Sequence, residues 1–65
     1  MARASALRAH KEALAIGADR DAPGAFEEGL SALNEGSAWD KAGWSDEAIQ
    51  HYGRAERHFR RAIEE

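Results

Sequence analysis

The chain contains no valine and no threonine, and its only β-branched residues are three isoleucines. Because β-branched side chains fill most strands, a chain that nearly lacks them has little from which to build a sheet. Alanine, glutamate and arginine, which favour helices, are abundant instead. The sequence therefore predicts an all-α protein.

The length of the chain limits the size of its core. A 65-residue chain buries only about 60% of the surface that its unfolded form exposes, so one domain is the most that we expect. Cysteine is absent, which excludes disulfides and thiolate metal sites and favours the cytoplasm. Stability must then come from helix packing or from self-association.

Charged residues interrupt the apolar residues at the N-terminus. Arg3, Arg8 and Lys11 leave no apolar run long enough for a signal peptide core or a membrane span. We therefore expect a cytoplasmic protein with no membrane partner.

Helix-breaking residues divide the chain into three helical segments. Gly17 is expected to end the first segment, Asp21 to cap the second and Pro23 to open it. Gly43 marks a turn, and Ser45 is the expected N-cap of the last helix. The predicted elements are helix one over residues 3 to 18, a linker over 19 to 22, helix two over 22 to 42, a turn over 43 to 45 and helix three over 46 to 63. These predict a small three-helix domain, residues 1 to 65, built on an antiparallel helical hairpin.

The apolar residues of the last two segments recur at spacings of three and four, which is typical of a helix face directed at a core. On helix three these residues are Ala48, Ile49, Tyr52, Ala55, Phe59, Ala62 and Ile63. On helix two they form two adjacent stripes, Phe26, Leu30 and Leu33 beside Ala25, Gly29, Ala32 and Gly36. A glycine inside a helix costs about 1 kcal/mol relative to alanine. We expect the backbone of a neighbouring helix to approach closely at Gly29 and Gly36.

The apolar seam of helix one is narrow and consists largely of alanine. Its members are Ala6, Leu7, Ala13, Leu14 and Ile16. Since such a seam buries little area, we expect this helix to fray or to dock on a partner.

Residues 29 to 55, GLSALNEGSAWDKAGWSDEAIQHYGRA, resemble a tetratricopeptide repeat. The resemblance rests on small or glycine residues at Ala32, Gly36 and Gly43, on Trp39, and on the run DEAI followed by Tyr52 and Ala55. In that family the first helix of each hairpin lines a peptide-binding groove. The matching positions here are Leu30, Leu33, Ser37, Asp40 and Lys41, and Trp44 in the corner is a candidate contact because tryptophan is enriched among interface anchors.

The chain holds one such hairpin, whereas about three repeats are needed before a solenoid is stable alone. A single hairpin must bury its apolar face against some other element, and a second copy of the chain in a homodimer would supply one. The pattern is also similar to the microtubule-interacting and trafficking module, a three-helix domain that binds peptide helices.

Basic residues are concentrated on helix three. Arg54, Arg57 and Arg61 form a ridge at helical spacing, joined by His58. A net charge of −3 and the lack of aromatic residues among these bases argue against a nucleic-acid partner. The ridge is then either a solvated helix face or a contact for an acidic surface of a partner or of a second copy.

The residue patterns of catalytic and metal sites are missing. Glu47 and His51 have the spacing of two ligands, but no third ligand accompanies them. No nucleophile with a base and no glycine-rich phosphate loop is visible. We predict a non-enzymatic module without cofactor or metal that binds a protein or peptide. The alternative is a monomeric regulator or inhibitor that folds fully on a target enzyme.

Overall fold

The computed structural model describes residues 2–64, and that part of the chain folds into four α-helices without a β-strand. Their bounds are α1 (Ala2–Ala15), α2 (Ala18–Asp21), α3 (Pro23–Lys41) and α4 (Ser45–Glu64). The predicted all-α fold class is confirmed, and the three long predicted helices correspond to α1, α3 and α4.

Helices α3 and α4 form an antiparallel hairpin whose close contact depends on two glycines. A Cβ atom added at Gly29 would lie 2.7 Å from Cε1 of Phe59, and one at Gly36 would lie 2.8 Å from the ring of Tyr52. The two aromatic rings of α4 therefore occupy the space that side chains on α3 would need. A neighbouring helix does pack against both glycines, but through its aromatic side chains, so the predicted backbone approach is wrong.

The segment between α1 and α3 is a single helical turn rather than a linker. α2 covers Ala18–Asp21 and ends where Pro23 disfavours a helical conformation of the preceding Ala22, which has φ −135° and ψ 63°. Pro23 opens α3 as predicted, but Ala22, not Asp21, occupies the N-cap, and no side chain caps this end. The Asp21 prediction is wrong.

At the start of α4 the predicted cap is displaced by one residue. The amide of Ala48 donates to the carbonyl of Trp44 at 3.0 Å, so Trp44 occupies the N-cap position and Ser45 is the first helical residue. Asp46 and Glu47 lie in the first turn, where their charges are favourable to the helix dipole.

Helix α1 lies mainly against α4 and uses an alanine face to do so. Ala6, Ala9 and Ala13 are buried, whereas Leu7 and Leu14 point outward with 42% and 46% of their surface exposed. The predicted seam is therefore wrong in its leucines, and Ile16 is exposed as well. Alanine allows the two helix backbones to approach closely, and leucine at the same positions would separate them.

The core is built mostly from small side chains. Of the twelve hydrophobic residues that are buried within residues 2–64, nine are alanine and the others are Phe26, Tyr52 and Phe59. On α4 the predicted stripe is buried at Ala48, Tyr52, Ala55, Phe59 and Ala62, and half-buried at Ile63. Ile49 is 55% exposed, which contradicts its predicted place in the core because it lies at the edge of the stripe.

Candidate functional site: the surface of the helical hairpin

The turn between α3 and α4 is held by a Schellman motif. The amide of Trp44 donates to the carbonyl of Trp39 at 3.0 Å, and the amide of Gly43 donates to the carbonyl of Asp40 at 3.1 Å. Gly43 has φ +87°, the left-handed conformation that this motif requires and that glycine adopts without strain. The backbone thus fixes Trp39 and Trp44 side by side.

The same motif commonly brings together the side chains at its two ends, and here both are tryptophan. The ring centroids of Trp39 and Trp44 lie 6.0 Å apart with an interplanar angle of 70°. The imidazole of His51 stacks on Trp39 at 6.2 Å and 11°. We call Trp39, Trp44 and His51 the aromatic corner. Trp44 is 61% exposed, so this corner presents a rigid aromatic surface to its surroundings.

Two of the predicted partner-binding residues contribute to the core. Leu30 and Leu33 are half-buried against it, and Ser37 is also half-buried. Asp40, Lys41 and Trp44 are exposed at the hairpin end. The six residues therefore do not form a single open strip. The exposed members group around the turn.

A shallow depression of about 290 Å³ lies where the start of α1 meets the hairpin end. The depression is bordered by Arg3 of α1, Asp40 of α3, and Ser45, Ile49 and Tyr52 of α4. The hydroxyl of Tyr52 is buried and has no hydrogen-bond partner among the described residues. This depression marks the side of the hairpin against which α1 lies.

The other side of the hairpin is a groove without any residue of α1. It has a volume of about 420 Å³. Its lining residues are Gly24, Glu27, Glu28, Ser31, Ala32 and Glu35 from α3, and Arg54 and His58 from α4. We call this side the open face. Its α3 wall is acidic and its α4 wall is basic.

One ionic contact crosses the open face. Nδ1 of His58 lies 3.3 Å from Oε2 of Glu28, but the pair lacks the alignment of a hydrogen bond. The other ion pair within residues 2–64 joins Arg60 to Glu56 along α4 at 3.0 Å. The predicted electrostatic residues Arg54, Arg57 and Arg61 are all exposed and have no carboxylate within ion-pairing distance in the described part of the chain.

In the described residues, no three histidine or acidic side chains converge in a way that could hold a metal ion. Glu47 and His51 thus remain two potential ligands without a third. No helix over residues 2–64 has both the length and the apolar character needed to cross a bilayer.

The aromatic corner was only partly accessible from the sequence. Trp44 was predicted as a contact residue, whereas the pairing of Trp39 with Trp44 was not. Trp39 directly precedes the Asp40 to Gly43 turn and Trp44 directly follows it. This is the spacing of the two ends of a Schellman motif, and it indicates that the two tryptophan side chains are in contact. The acidic wall of the open face was also missed, although Glu28 and Glu35 recur at i and i+7.

Comparison with models of protein families, with curated protein sequences and with solved structures found no match to this chain. The two resemblances drawn from the residue pattern therefore remain predictions.

Proposed function

We propose that this protein is a small, non-enzymatic protein–protein interaction module that binds a protein or peptide partner through the hairpin end. The observation that supports this is that large hydrophobic side chains are more numerous on the surface than in the core. Within residues 2–64, six large hydrophobic side chains are at least one third exposed, and only three large ones are buried. The exposed ones are Leu7, Leu14, Ile16, Trp39, Trp44 and Ile49. The core itself is mostly alanine.

The hairpin end has the composition of an interface. Tryptophan is enriched among residues that dominate binding energy, and a rigid aromatic side chain loses little conformational entropy on binding. The Schellman hydrogen bonds already hold the backbone of Trp44 in place. Asp40 and Lys41 beside it are exposed and would supply the polar rim that surrounds most apolar contact patches.

The proposal places Trp44 at the centre of the contact. Leu30, Leu33 and Ser37 lie on α3 further from the turn. Because they are half-buried, they would contribute less contact area. The lack of cysteine suits a reducing compartment such as the cytoplasm. The fold resemblances imply a peptide as the partner segment, and the resemblance to the microtubule-interacting and trafficking module implies a peptide helix.

The test uses a matched pair of variants. Trp44→Ser removes the more exposed tryptophan. Ile16→Ser removes a side chain of nearly equal exposure, 56% against 61%, which lies just after the C-terminal end of α1. The immobilised full chain is used to retain partners from a native extract, and each retained protein is then purified and titrated against the parent and both variants.

We expect binding to weaken at least tenfold for Trp44→Ser, a loss of about 1.4 kcal/mol, and to be unchanged for Ile16→Ser. Both tryptophans of the chain lie at this corner, so a blue shift of the intrinsic fluorescence on titration reports directly on it. Equal weakening by both variants, or no weakening by either, would contradict the proposed site.

A further inference from the structure

The open face carries two parallel ridges of opposite charge. The acidic ridge on α3 consists of Glu27, Glu28 and Glu35, all of which line the groove. The basic ridge on α4 begins at Arg54, which also lines the groove, and continues to the exposed Arg57 and Arg61 outside the groove lining. Within residues 2–64 only Glu28 among these six has an ion-pair partner, which is His58. Five formal charges of two signs therefore face outward without a counter-charge at bonding distance.

The antiparallel register places these charges at matching levels along the hairpin. Gly29 lies against Phe59 and Gly36 lies against Tyr52. In this register, Glu35 lies at the same height along the hairpin axis as Arg54, and Glu27 lies at the same height as Arg61. These two levels of the open face thus carry an acid on α3 and a base on α4.

A surface with this arrangement is complementary to itself. A two-fold rotation about an axis parallel to the helices places α3 of one copy over α4 of the other. Glu35 and Glu27 of one copy then face Arg54 and Arg61 of the other, because the rotation leaves the level along the axis unchanged. Such an isologous contact uses the same patch in both copies and closes after two chains.

We propose that the open face is a homodimer interface in which the acidic ridge of α3 lies over the basic ridge of α4 of a second copy. The defining pairs are Glu35 with Arg54 of the second copy, and Glu27 with Arg61 of the second copy, each formed twice. Gly24, Ser31 and Ala32 line the groove between the ridges, and their small side chains allow the two hairpins to approach closely.

The rest of the surface is less suited to a second copy. The outer side of α1 exposes Leu7 and Leu14, but it also carries Arg3, Arg8 and Lys11, which would repel the same surface in another copy. The open face is also separate from Trp44. The inference therefore goes beyond the proposed function, and either can fail while the other holds.

The area of the open face determines how strongly we expect the two copies to associate. A hairpin face about 29 Å long and about 18 Å wide covers about 500 Å² in each copy. The total of about 1,000 Å² is at the lower limit for a specific interface. We therefore expect a weak dimer whose dissociation constant rises at least tenfold between about 0.02 M and about 0.5 M NaCl, because exposed ion pairs are screened by salt.

The test exchanges charges between ridges. A basic-face variant carries Glu27→Arg and Glu35→Arg, and an acidic-face variant carries Arg54→Glu and Arg61→Glu. Each exchange changes the charge by two, so the net charge moves from −3 to +1 and to −7 respectively. A control variant with Arg8→Glu and Lys11→Glu on the outer side of α1 also has a net charge of −7. Circular dichroism confirms that each variant is folded, and sedimentation velocity at high micromolar concentration gives its mass.

We expect the parent chain at low salt to sediment at twice its 7.1 kDa, and each face variant alone to be a monomer. Mixed in equal amounts, the two face variants should form a 1:1 heterodimer, whereas the basic-face variant mixed with the control should not. Pairing between ridges within one chain cannot produce that heterodimer. If a double variant does not fold, the single exchanges Glu35→Arg and Arg54→Glu replace it.

Each of three results with the parent and the face variants would overturn the inference. They are a monomeric parent at low salt and high micromolar concentration, dimeric face variants, and face variants that do not pair when mixed. Loss of dimerisation through Trp44→Ser alone would also overturn it, because that side chain lies outside the open face.

Discussion

The ring of Phe59 lies directly over Gly29, so that a single methyl group on Gly29 would come within 2.7 Å of it. Phe59 is the largest side chain that is fully buried within residues 2–64. It cannot turn away to make room, and the hairpin would have to open instead.

This relationship gives opposite expectations for two glycines in helices. Gly29→Ala should lower the free energy of unfolding by up to about 2 kcal/mol, since overpacking costs about 1–3 kcal/mol and better helix propensity returns about 1 kcal/mol. Gly53→Ala, on α4, meets nothing within 4 Å and should raise it by up to about 1 kcal/mol. Urea denaturation of the two variants measures both; two stabilised proteins would show that α3 and α4 are further apart than described.

Substitutions at Gly43 test the backbone conformation of the turn rather than the space around it. A Cβ at Gly43 would also meet nothing within 4 Å, but φ there is +87°. We expect Gly43→Ala to cost about 1–2 kcal/mol from left-handed backbone strain alone, and Gly43→Val at least as much. Gly43→Asn should recover part of the loss, because asparagine tolerates this conformation. Thermal melts compare the three, and a Gly43→Val protein that melts like the parent would contradict the Schellman turn.

Opposite sides of α4 should respond very differently to truncation. Phe59→Ala should cost about 3–5 kcal/mol through lost burial and the cavity left behind, which approaches the whole stability of so small a domain. Arg57 is exposed, and Arg57→Ala should change stability by no more than about 0.5 kcal/mol. Chemical denaturation of both variants measures the difference; equal midpoints would show that the helix is rotated from the described orientation.

The alanine face of α1 predicts an unusual order of sensitivity. Ala13 is fully buried, so Ala13→Leu should separate α1 from α4 and cost about 1–3 kcal/mol. Leu14, the next residue, is 46% exposed, and Leu14→Ala should cost about 1 kcal/mol or less because little of its surface leaves a buried environment. The reverse order in a denaturation experiment would mean that α1 docks through its leucines.

Local rules settled the helices and the hairpin corner from the sequence. The absence of valine and threonine excludes most strands. Gly17 and Gly43 end helices in a left-handed conformation, at φ +77° and +87°, because glycine alone does so without strain. The regular spacing of Tyr52 and Phe59 identified the buried side of α4. Each of these inferences depends only on residues close together in the chain.

Contacts between helices decided the rest. Leucine is more apolar than alanine, and periodicity alone assigned Leu7 and Leu14 to the core. The structure buries Ala6 and Ala13 instead, and the ring of His10 between them in the chain lies 5.1 Å from the ring of Phe59, because small residues on either side of His10 let α1 approach α4 closely. In the same way, the side of the hairpin that α1 covers cannot be read from local pattern. That choice leaves the ridges of Glu35 and Arg54 uncovered, and it follows from how three helices share one small core.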